Sequence, residues 1–247
     1  MNSDSGASPS YWQETRQPIY SAALILPFIV IYECGLLFLH ADVINGGDAI
    51  LLSLGGHILK FIGIKTSFVS VLVLILFFLI WQVWKKGTWK FRPPLLLATV
   101  FESVLYAVLL FLLLGFIVHY LPPASVPVMS QGGSSGNSVL RDFVLYCGAG
   151  VYEELVFRVL LLGLLMLVLM RLFHMERTYA AVWSVILGAI IFSAFHHIGG
   201  ERFALGIFLQ RVIAGLYFSA IYLNRSFGLA AASHSLYDLL VGLNQLN

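Results

Sequence analysis

Charged residues are scarce in this sequence. Only 11% of its 247 residues are charged, with 14 Lys and Arg against 12 Asp and Glu, whereas soluble domains carry about 25% charged residues. This scarcity excludes an ordinary soluble domain, and the formal net charge of +2 is too small to indicate a nucleic-acid partner. Because 60% of the residues are hydrophobic, the composition predicts an integral membrane protein with an all-α, polytopic transmembrane helix bundle.

Cysteine is also rare, and several catalytic signatures are missing. Cys34 and Cys147 are the two cysteines, and they provide neither a disulfide framework nor the spacing of a zinc site. The chain has no His-Glu-x-x-His pair, and the serines within the apolar spans, Ser193, Ser233 and Ser235, do not lie in a Gly-x-Ser-x-Gly nucleophile elbow. Residues 1–17 are polar and the next apolar run lacks a basic start with a small-residue cleavage site, so no cleavable signal peptide is expected.

Long apolar runs are abundant and predict the organisation of the chain. A polar tail, residues 1–17, precedes N-terminal membrane helices in residues 18–138 and a second group of membrane helices in residues 139–247. These helices form one integrated membrane domain with seven predicted spans, at residues 18–40, 67–84, 95–121, 139–170, 179–198, 203–223 and 227–243. Residues 46–64 contain only short apolar pieces and favour an interfacial or re-entrant helix over an eighth span. The prediction is therefore seven to eight spans.

The orientation follows from the basic loop at residues 85–92. If this loop is cytoplasmic, eight Lys and Arg residues of the seven-span arrangement lie inside and four lie outside, as the positive-inside rule requires. The N-terminus is then expected in the cytoplasm.

Three charged residues lie close together inside one apolar run. Glu153 and Glu154 are followed by Arg158, and each charge at membrane depth costs about 2.5–3.5 kcal/mol on insertion scales. Glu154 and Arg158 are four residues apart, so they share a helix face and can neutralise each other. Glu153 points elsewhere on the helix, and its partner is expected on another helix.

Histidines on two later helices are candidate partners. His196 and His197 lie near the end of one predicted span, and His234 and Asp238 share a face of the last one. A carboxylate beside a neutral imidazole can bind and deprotonate water, and further polar groups can stabilise an oxyanion. This combination predicts hydrolysis.

Three motifs occur in order on separate helices: Glu-Glu-x-x-x-Arg at 153–158, Phe-x-x-x-His at 192–196 and His-x-x-x-Asp at 234–238. Over about residues 139–243 the chain resembles the CPBP family of CAAX proteases and bacteriocin-processing enzymes. These are intramembrane endopeptidases and include the type II CAAX prenyl endopeptidases.

The resemblance implies roles for individual residues. Glu153 would be the base that activates water, with His196 holding the same water. His234 and Asp238 would form the oxyanion site, although Asp238 stands where the family often has Asn, and a carboxylate donates no hydrogen bond unless protonated. The expected supporting residues are Glu154, Arg158 and Phe192.

The resemblance leaves the cofactor open. The family has been interpreted both as metal-dependent and as glutamate-type, and the missing His-Glu-x-x-His pair favours the second, with no cofactor. A divalent metal such as zinc would have to be held by Glu153, His196 and His234, a chemically reasonable ligand set.

The implied function is an endopeptidase that cleaves near the C-terminus of membrane-anchored or lipid-modified substrates. Its partners would be a membrane-anchored protein or peptide and the lipid bilayer, and its location a bacterial plasma (inner) membrane. Two alternatives remain at this point. Carboxylates and histidines within spans also form proton relays in proton-coupled transporters, and a catalytically silent relative would act as a membrane scaffold or immunity factor.

Overall fold

A computed structural model of the protein describes residues 10–39, 44–61, 69–87, 89, 92–120, 136–198 and 203–244. All regular elements in these ranges are helical, which confirms the all-α class.

Six helical elements are described in the first part of the chain. They are α1 (Tyr11–Glu14), α2 (Pro18–Leu39), α3 (Gly46–Phe61), α4 (Val69–Trp84), α5 (Pro93–Ile117) and the short 3-10 turn Val118–Tyr120 that extends α5. The second part contains α6 (Gly136–Glu154), a π-helical segment (Leu155–Leu161), α7 (Leu162–Arg171), α8 (Arg177–Ile198), α9 (Leu205–Asn224) and α10 (Phe227–Asn244).

Several helices have the length and composition of membrane spans. In the described ranges four helices are long and apolar enough to cross a bilayer: Pro18–Leu39, Pro93–Tyr120, Arg177–Ile198 and Leu205–Asn224. Together with the shorter apolar helix Ser70–Trp84, they support an integral membrane protein. The number of seven to eight spans stays a prediction. The segment expected to be interfacial or re-entrant contains α3, a helix of 16 residues that packs on α6 and α4.

The length of the span at residues 139–170 left two possibilities, one long helix or a helix that breaks near Gly163, and the structure has one long helix. The helix runs without interruption from α6 into α7, and its irregularity is the π-helical segment that begins directly after Glu154. Gly163 lies one residue inside α7 with open space around it, so nothing in its surroundings requires a break there.

Helix α10 lies at the centre of the bundle, where it packs against α2, α5, α6 and α9. Its first nine residues, Phe227–Ser235, are all buried, and many of them are small, which lets neighbouring backbones approach closely. The closest approach is at Gly150 of α6, where an added Cβ would lie 2.3 Å from the backbone nitrogen of Ser235. This crossing places the two helices that carry Glu153, Glu154 and His234 in direct contact.

A polar cluster fixes the start of α10 and the N-terminal helix α1. Arg225, between α9 and α10, contacts both carboxylate oxygens of Glu102 in α5 through Nε at 2.5 Å and Nη2 at 2.6 Å. The hydroxyls of Tyr11 and Tyr106 donate to the same carboxylate at 2.7 and 3.0 Å, and the Arg225 guanidinium lies 4.0 Å from the ring centre of Trp12. The Glu102 carboxylate therefore has four donors, and this link cluster joins α1, α5 and the α9–α10 connection.

The link cluster raises the pKa of both Tyr11 and Arg225. Burial and the hydrogen bond to Glu102 raise the pKa of Tyr11 to about 12, so its hydroxyl stays a neutral donor. Burial alone would lower the pKa of Arg225, but its hydrogen bonds and charge attraction to Glu102 raise it instead. The arginine therefore stays charged over the whole physiological pH range.

Candidate active site

The Glu153–Glu154 pair lies where an α-helix becomes a π-helix. The π segment Leu155–Leu161 begins immediately after the pair and contains Arg158. π-helical turns are rare and frequently occur at functional sites. All residues from Val151 to Arg158 are buried, so this irregular turn and its charges lie inside the bundle.

Glu153 and His196 face each other across a short gap. Their closest atoms, Glu153 Oε2 and His196 Nε2, are 3.8 Å apart, which is too long for a direct hydrogen bond. His196 Nδ1 lies 2.9 Å from the carbonyl oxygen of Phe192. Because a carbonyl only accepts, Nδ1 carries the proton and Nε2 of the neutral ring presents a lone pair to Glu153.

This gap suits a water molecule. A water that donates one proton to the Glu153 carboxylate and the other to His196 Nε2 has its lone pairs directed away from both, toward an incoming carbonyl carbon. The His196 side chain is 23% exposed while that of Glu153 is 10% exposed, so the site is accessible from the histidine side. The arrangement can position and deprotonate a nucleophilic water.

Glu154 connects two helices. Its side chain is completely buried, with Oε1 2.8 Å from His234 Nδ1 and Oε2 3.0 Å from Arg158 Nε. Sequence spacing predicted the contact with Arg158, and the structure agrees. The contact with His234 was not predicted, and it makes Glu154 the group that orients this imidazole.

His234 is held between two carboxylates. Its Nδ1 faces Glu154, while Nε2 lies 3.6 Å from Asp238 Oδ2. The imidazole also stacks on the ring of Phe218, with the ring centres 4.4 Å apart. His234 and Asp238 are thus adjacent, as their spacing predicted, but the carboxylate of Asp238 is turned toward the imidazole.

Arg158 and Phe192 close the interior side of the site. The guanidinium of Arg158 is 2% exposed and lies 4.7 Å from the ring centre of Phe192, and its Nη2 donates to the carbonyl oxygen of Gly215 at 3.4 Å. The Phe192 ring contacts His196 with a centre-to-centre distance of 4.9 Å. The Phe192 ring therefore contacts both the guanidinium of Arg158 and the imidazole of His196.

One family model matches part of the chain. Residues 135–240 match the family model described as Type II CAAX prenyl endopeptidase Rce1-like. The match covers residues 135–240 of 247, so it shows that this region is similar to the CPBP, or CAAX protease, family. Neither the curated proteins nor the solved structures gave a match.

The CAAX-protease-like region contains all the residues that the three motifs singled out. The structure brings Glu153 to His196 and His234 to both Glu154 and Asp238. His197, the neighbour of His196, instead lies against Phe203 and Phe208, with ring centres 5.2 and 6.0 Å away.

The proposed zinc ligands are not arranged as a metal centre. In the part of the chain that the structure describes, no three His, Cys, Asp or Glu side chains form a group that could hold a metal ion. Both ring nitrogens of His234 are directed at carboxylates of other residues, so the histidine does not converge with Glu153 and His196 on a common point. Glu153, His196 and His234 therefore do not fit a metal site in this arrangement.

Helix α3 also contributes to the site, and motif analysis missed it. An added Cβ on Gly47 would lie 2.5 Å from the backbone nitrogen of Glu153, and one on Gly46 would lie 3.8 Å from Glu153 Oε1. The start of α3 is therefore pressed against the carboxylate. The sequence signal was the run Asn45-Gly46-Gly47-Asp48, which is typical of a helix start with an Asn cap.

A second polar network lies behind Glu153. The hydroxyl of Tyr152 donates to Glu33 of α2 at 2.5 Å, and that of Tyr32 donates to Asp48 of α3 at 2.7 Å. Ser70 of α4 also donates to Asp48. These bonds tie α2, α3 and α4 to α6 at the residue before Glu153, which accounts for an intramembrane carboxylate, Glu33, that lies outside the three motifs.

Glu33 also lines an apolar cavity of about 510 Å³ between α2 and α4. Its other walls are mainly aliphatic and aromatic, including Leu26, Leu74, Phe78 and Trp89. The cavity could accommodate a hydrocarbon chain, and Glu33 in its wall accepts a hydrogen bond from Tyr152, the residue before Glu153.

Proposed function

We propose that the protein is an intramembrane endopeptidase that hydrolyses a peptide bond near the C-terminus of membrane-anchored or lipid-modified substrates. The observation that carries this proposal is the 3.8 Å gap between the buried Glu153 carboxylate and the lone-pair side of His196. The family match supports a CAAX-type intramembrane endopeptidase at the level of the family.

The proposed reaction begins with a water that Glu153 and His196 hold. Glu153 takes one proton from this water, and the oxygen forms a bond to the carbonyl carbon of the substrate. The carbonyl π electrons move to its oxygen, which becomes an oxyanion. The oxyanion then collapses, the carbon–nitrogen bond breaks, and Glu153 transfers its proton to the leaving nitrogen. The products are a carboxylic acid and an amine.

In this proposal His234 is held in place by Glu154, and Arg158 neutralises Glu154 inside the bundle. Buried charges need such partners, because an unpaired one is strongly destabilising. His234 and Asp238 lie beside the reacting carbonyl. The mechanism is glutamate-type and assigns no role to a metal.

The apolar cavity supports a substrate with a lipid chain or an apolar anchor. It lies between α2 and α4, and its Glu33 is hydrogen-bonded to Tyr152, the neighbour of Glu153, so a hydrocarbon bound there would be close to the site of cleavage. A multi-pass location in a bacterial plasma membrane, with seven to eight spans, completes the proposal.

The test is a cleavage assay in liposomes that contain the purified protein and tagged, membrane-anchored peptides with different C-termini. The wild type should cleave at least one class, and Glu153→Ala should lower the rate by about 10²–10⁴-fold, as expected for loss of a general base. Full cleavage by Glu153→Ala would contradict the proposal. Solute flux that requires Glu153 and a proton gradient, without cleavage, would support a transporter instead.

A further inference from the structure

Peptide hydrolysis requires hydrogen-bond donors at the carbonyl oxygen, and the motif residues provide few. In the CAAX-protease-like site, His196 directs its Nδ1 proton to the carbonyl of Phe192. His234 directs Nδ1 to Glu154, and Nε2 faces Asp238. A carboxylate is only an acceptor when ionised. Of these groups only His234 Nε2, 3.6 Å from Asp238 Oδ2, is left to donate, and it does so only when the ring carries both protons. A further donor for the oxyanion is therefore expected from another part of the molecule.

Helix α3 begins at the catalytic carboxylate. Gly46 and Gly47 come so close to Glu153 that side chains there would meet its backbone or approach its Oε1. The first backbone N–H groups of a helix have no acceptor within the helix, and they carry part of the positive end of its dipole. This end of α3 is therefore suited to an anionic oxygen next to Glu153.

Asn45, the residue before α3, provides an independent observation. Its Oδ1 accepts the backbone N–H of Asp48 at 2.9 Å, which identifies the oxygen edge of the amide and leaves Nδ2 outside the capping bond. The residue is 7% exposed. Nδ2 has no hydrogen-bond partner in the described ranges. A buried donor left unsatisfied costs about 1–3 kcal/mol, so this amide needs an explanation.

From these observations we infer that Asn45 Nδ2, together with the N–H groups of Gly46 and Gly47, donates hydrogen bonds to the substrate carbonyl oxygen as it becomes an oxyanion. The inference rests on the proposed function. It gives Asn45 a catalytic role that its capping bond to Asp48 does not explain, because Ser, Thr or Asp would cap the helix equally well.

The two roles of Asn45 can be separated by substitution. Asn45→Ser and Asn45→Asp both keep a side-chain oxygen for the N–H of Asp48, and both remove the amide donor. In the liposome assay both should lower kcat by about 10²–10³-fold, as expected for loss of one oxyanion donor. KM and the thermal unfolding midpoint should stay close to those of the wild type. Asn224→Ser is a matched control, since the Asn224 amide is exposed and donates to Ala220 at the opposite end of α9 from the site.

The outcomes separate this inference from the proposed function. If the wild type cleaves, Glu153→Gln does not, and both Asn45 variants keep the wild-type kcat, only the role of Asn45 is overturned. The same holds if the variants change KM alone, or if neither yields folded protein, because the amide would then serve substrate binding or structure. Absence of cleavage by the wild type with every peptide would overturn the proposed function and this inference with it.

Discussion

Two carboxylate–arginine pairs in this protein, one half-buried and one fully buried, look alike but have different surroundings. In the link cluster, Glu102 has four donors and both its oxygens are used by Arg225. At the candidate active site, Glu154 has one well-formed hydrogen bond, to His234, and an ion pair with Arg158. Nε and Nη1 of Arg158 have no hydrogen-bond partner in the described ranges, whereas Arg225 leaves only Nη1 without one.

The difference separates structural from functional placement of charge. A buried ion pair offsets its desolvation only when additional hydrogen bonds satisfy the remaining atoms, and the link cluster meets this condition. The Glu154–Arg158 pair is more deeply buried, with side chains 0% and 2% exposed, yet less completely bonded. Such a costly arrangement is expected where it orients a group of a functional site, and Glu154 contacts His234 of the proposed one.

Breaking the two pairs in the same way should give different results. Glu154→Gln should lower kcat by about 10²-fold, because a shift of the His234 ring by about 1 Å has that effect on positioned groups. Glu102→Gln should leave kcat of the folded protein unchanged and lower the free energy of unfolding by about 3–5 kcal/mol, since Arg225 loses its charged partner. Cleavage kinetics and thermal unfolding in detergent measure both effects.

An equal loss of kcat in Glu102→Gln, or a wild-type kcat in Glu154→Gln, would contradict the distinction between the pairs.

The two adjacent histidines allow the second comparison. His196→Gln should lower kcat about tenfold, because one hydrogen bond to the water is lost and about 1.4 kcal/mol corresponds to a factor of ten. His197→Gln should leave kcat unchanged, since that ring packs on Phe203 and Phe208. Cleavage rates of both variants with one peptide test this difference in kcat. Equal effects of the two substitutions would show that His196 does not hold the water.

The smallest effects are expected for two glycines. Gly47→Ala should lower the free energy of unfolding by about 1–3 kcal/mol, as overpacking does, because its Cβ would collide with the backbone of Tyr152 and Glu153. Gly115→Ala in α5 is the control, since open space surrounds that position. Thermal unfolding of both variants tests the contact between α3 and the active site, and equal midpoints would contradict it.

Much of the site was predictable from sequence because its chemistry is local or carried by recognisable motifs. The spacing of Glu154 and Arg158 predicted their pairing, and the resemblance to the CPBP family implied that Glu153 and His196 lie together. The contact between Glu154 and His234 was not predictable, since it depends on the distance at which α6 and α10 cross at Gly150. The roles of the individual residues remain predictions.

The contribution of the N-terminal helices was harder to predict. Glu33 and Glu102 lie within predicted spans but outside the three motifs, and the structure pairs them with Tyr152 and Arg225. Their partners are more than a hundred residues away in the chain, so no local spacing reveals them. The start of α3 near Glu153 was equally hidden, because its short apolar pieces indicated only an interfacial or re-entrant helix.

The most direct test of the account is the single-turnover rate of peptide cleavage in liposomes by the wild type, Glu153→Gln and Glu153→Asp, each with and without a strong chelator. The account predicts a loss of about 10²–10⁴-fold in Glu153→Gln, partial activity in Glu153→Asp, whose shorter carboxylate remains a base, and no effect of the chelator. A wild-type rate in Glu153→Gln would contradict the role of Glu153 as the base. Loss of wild-type cleavage with the chelator would contradict the glutamate-type mechanism.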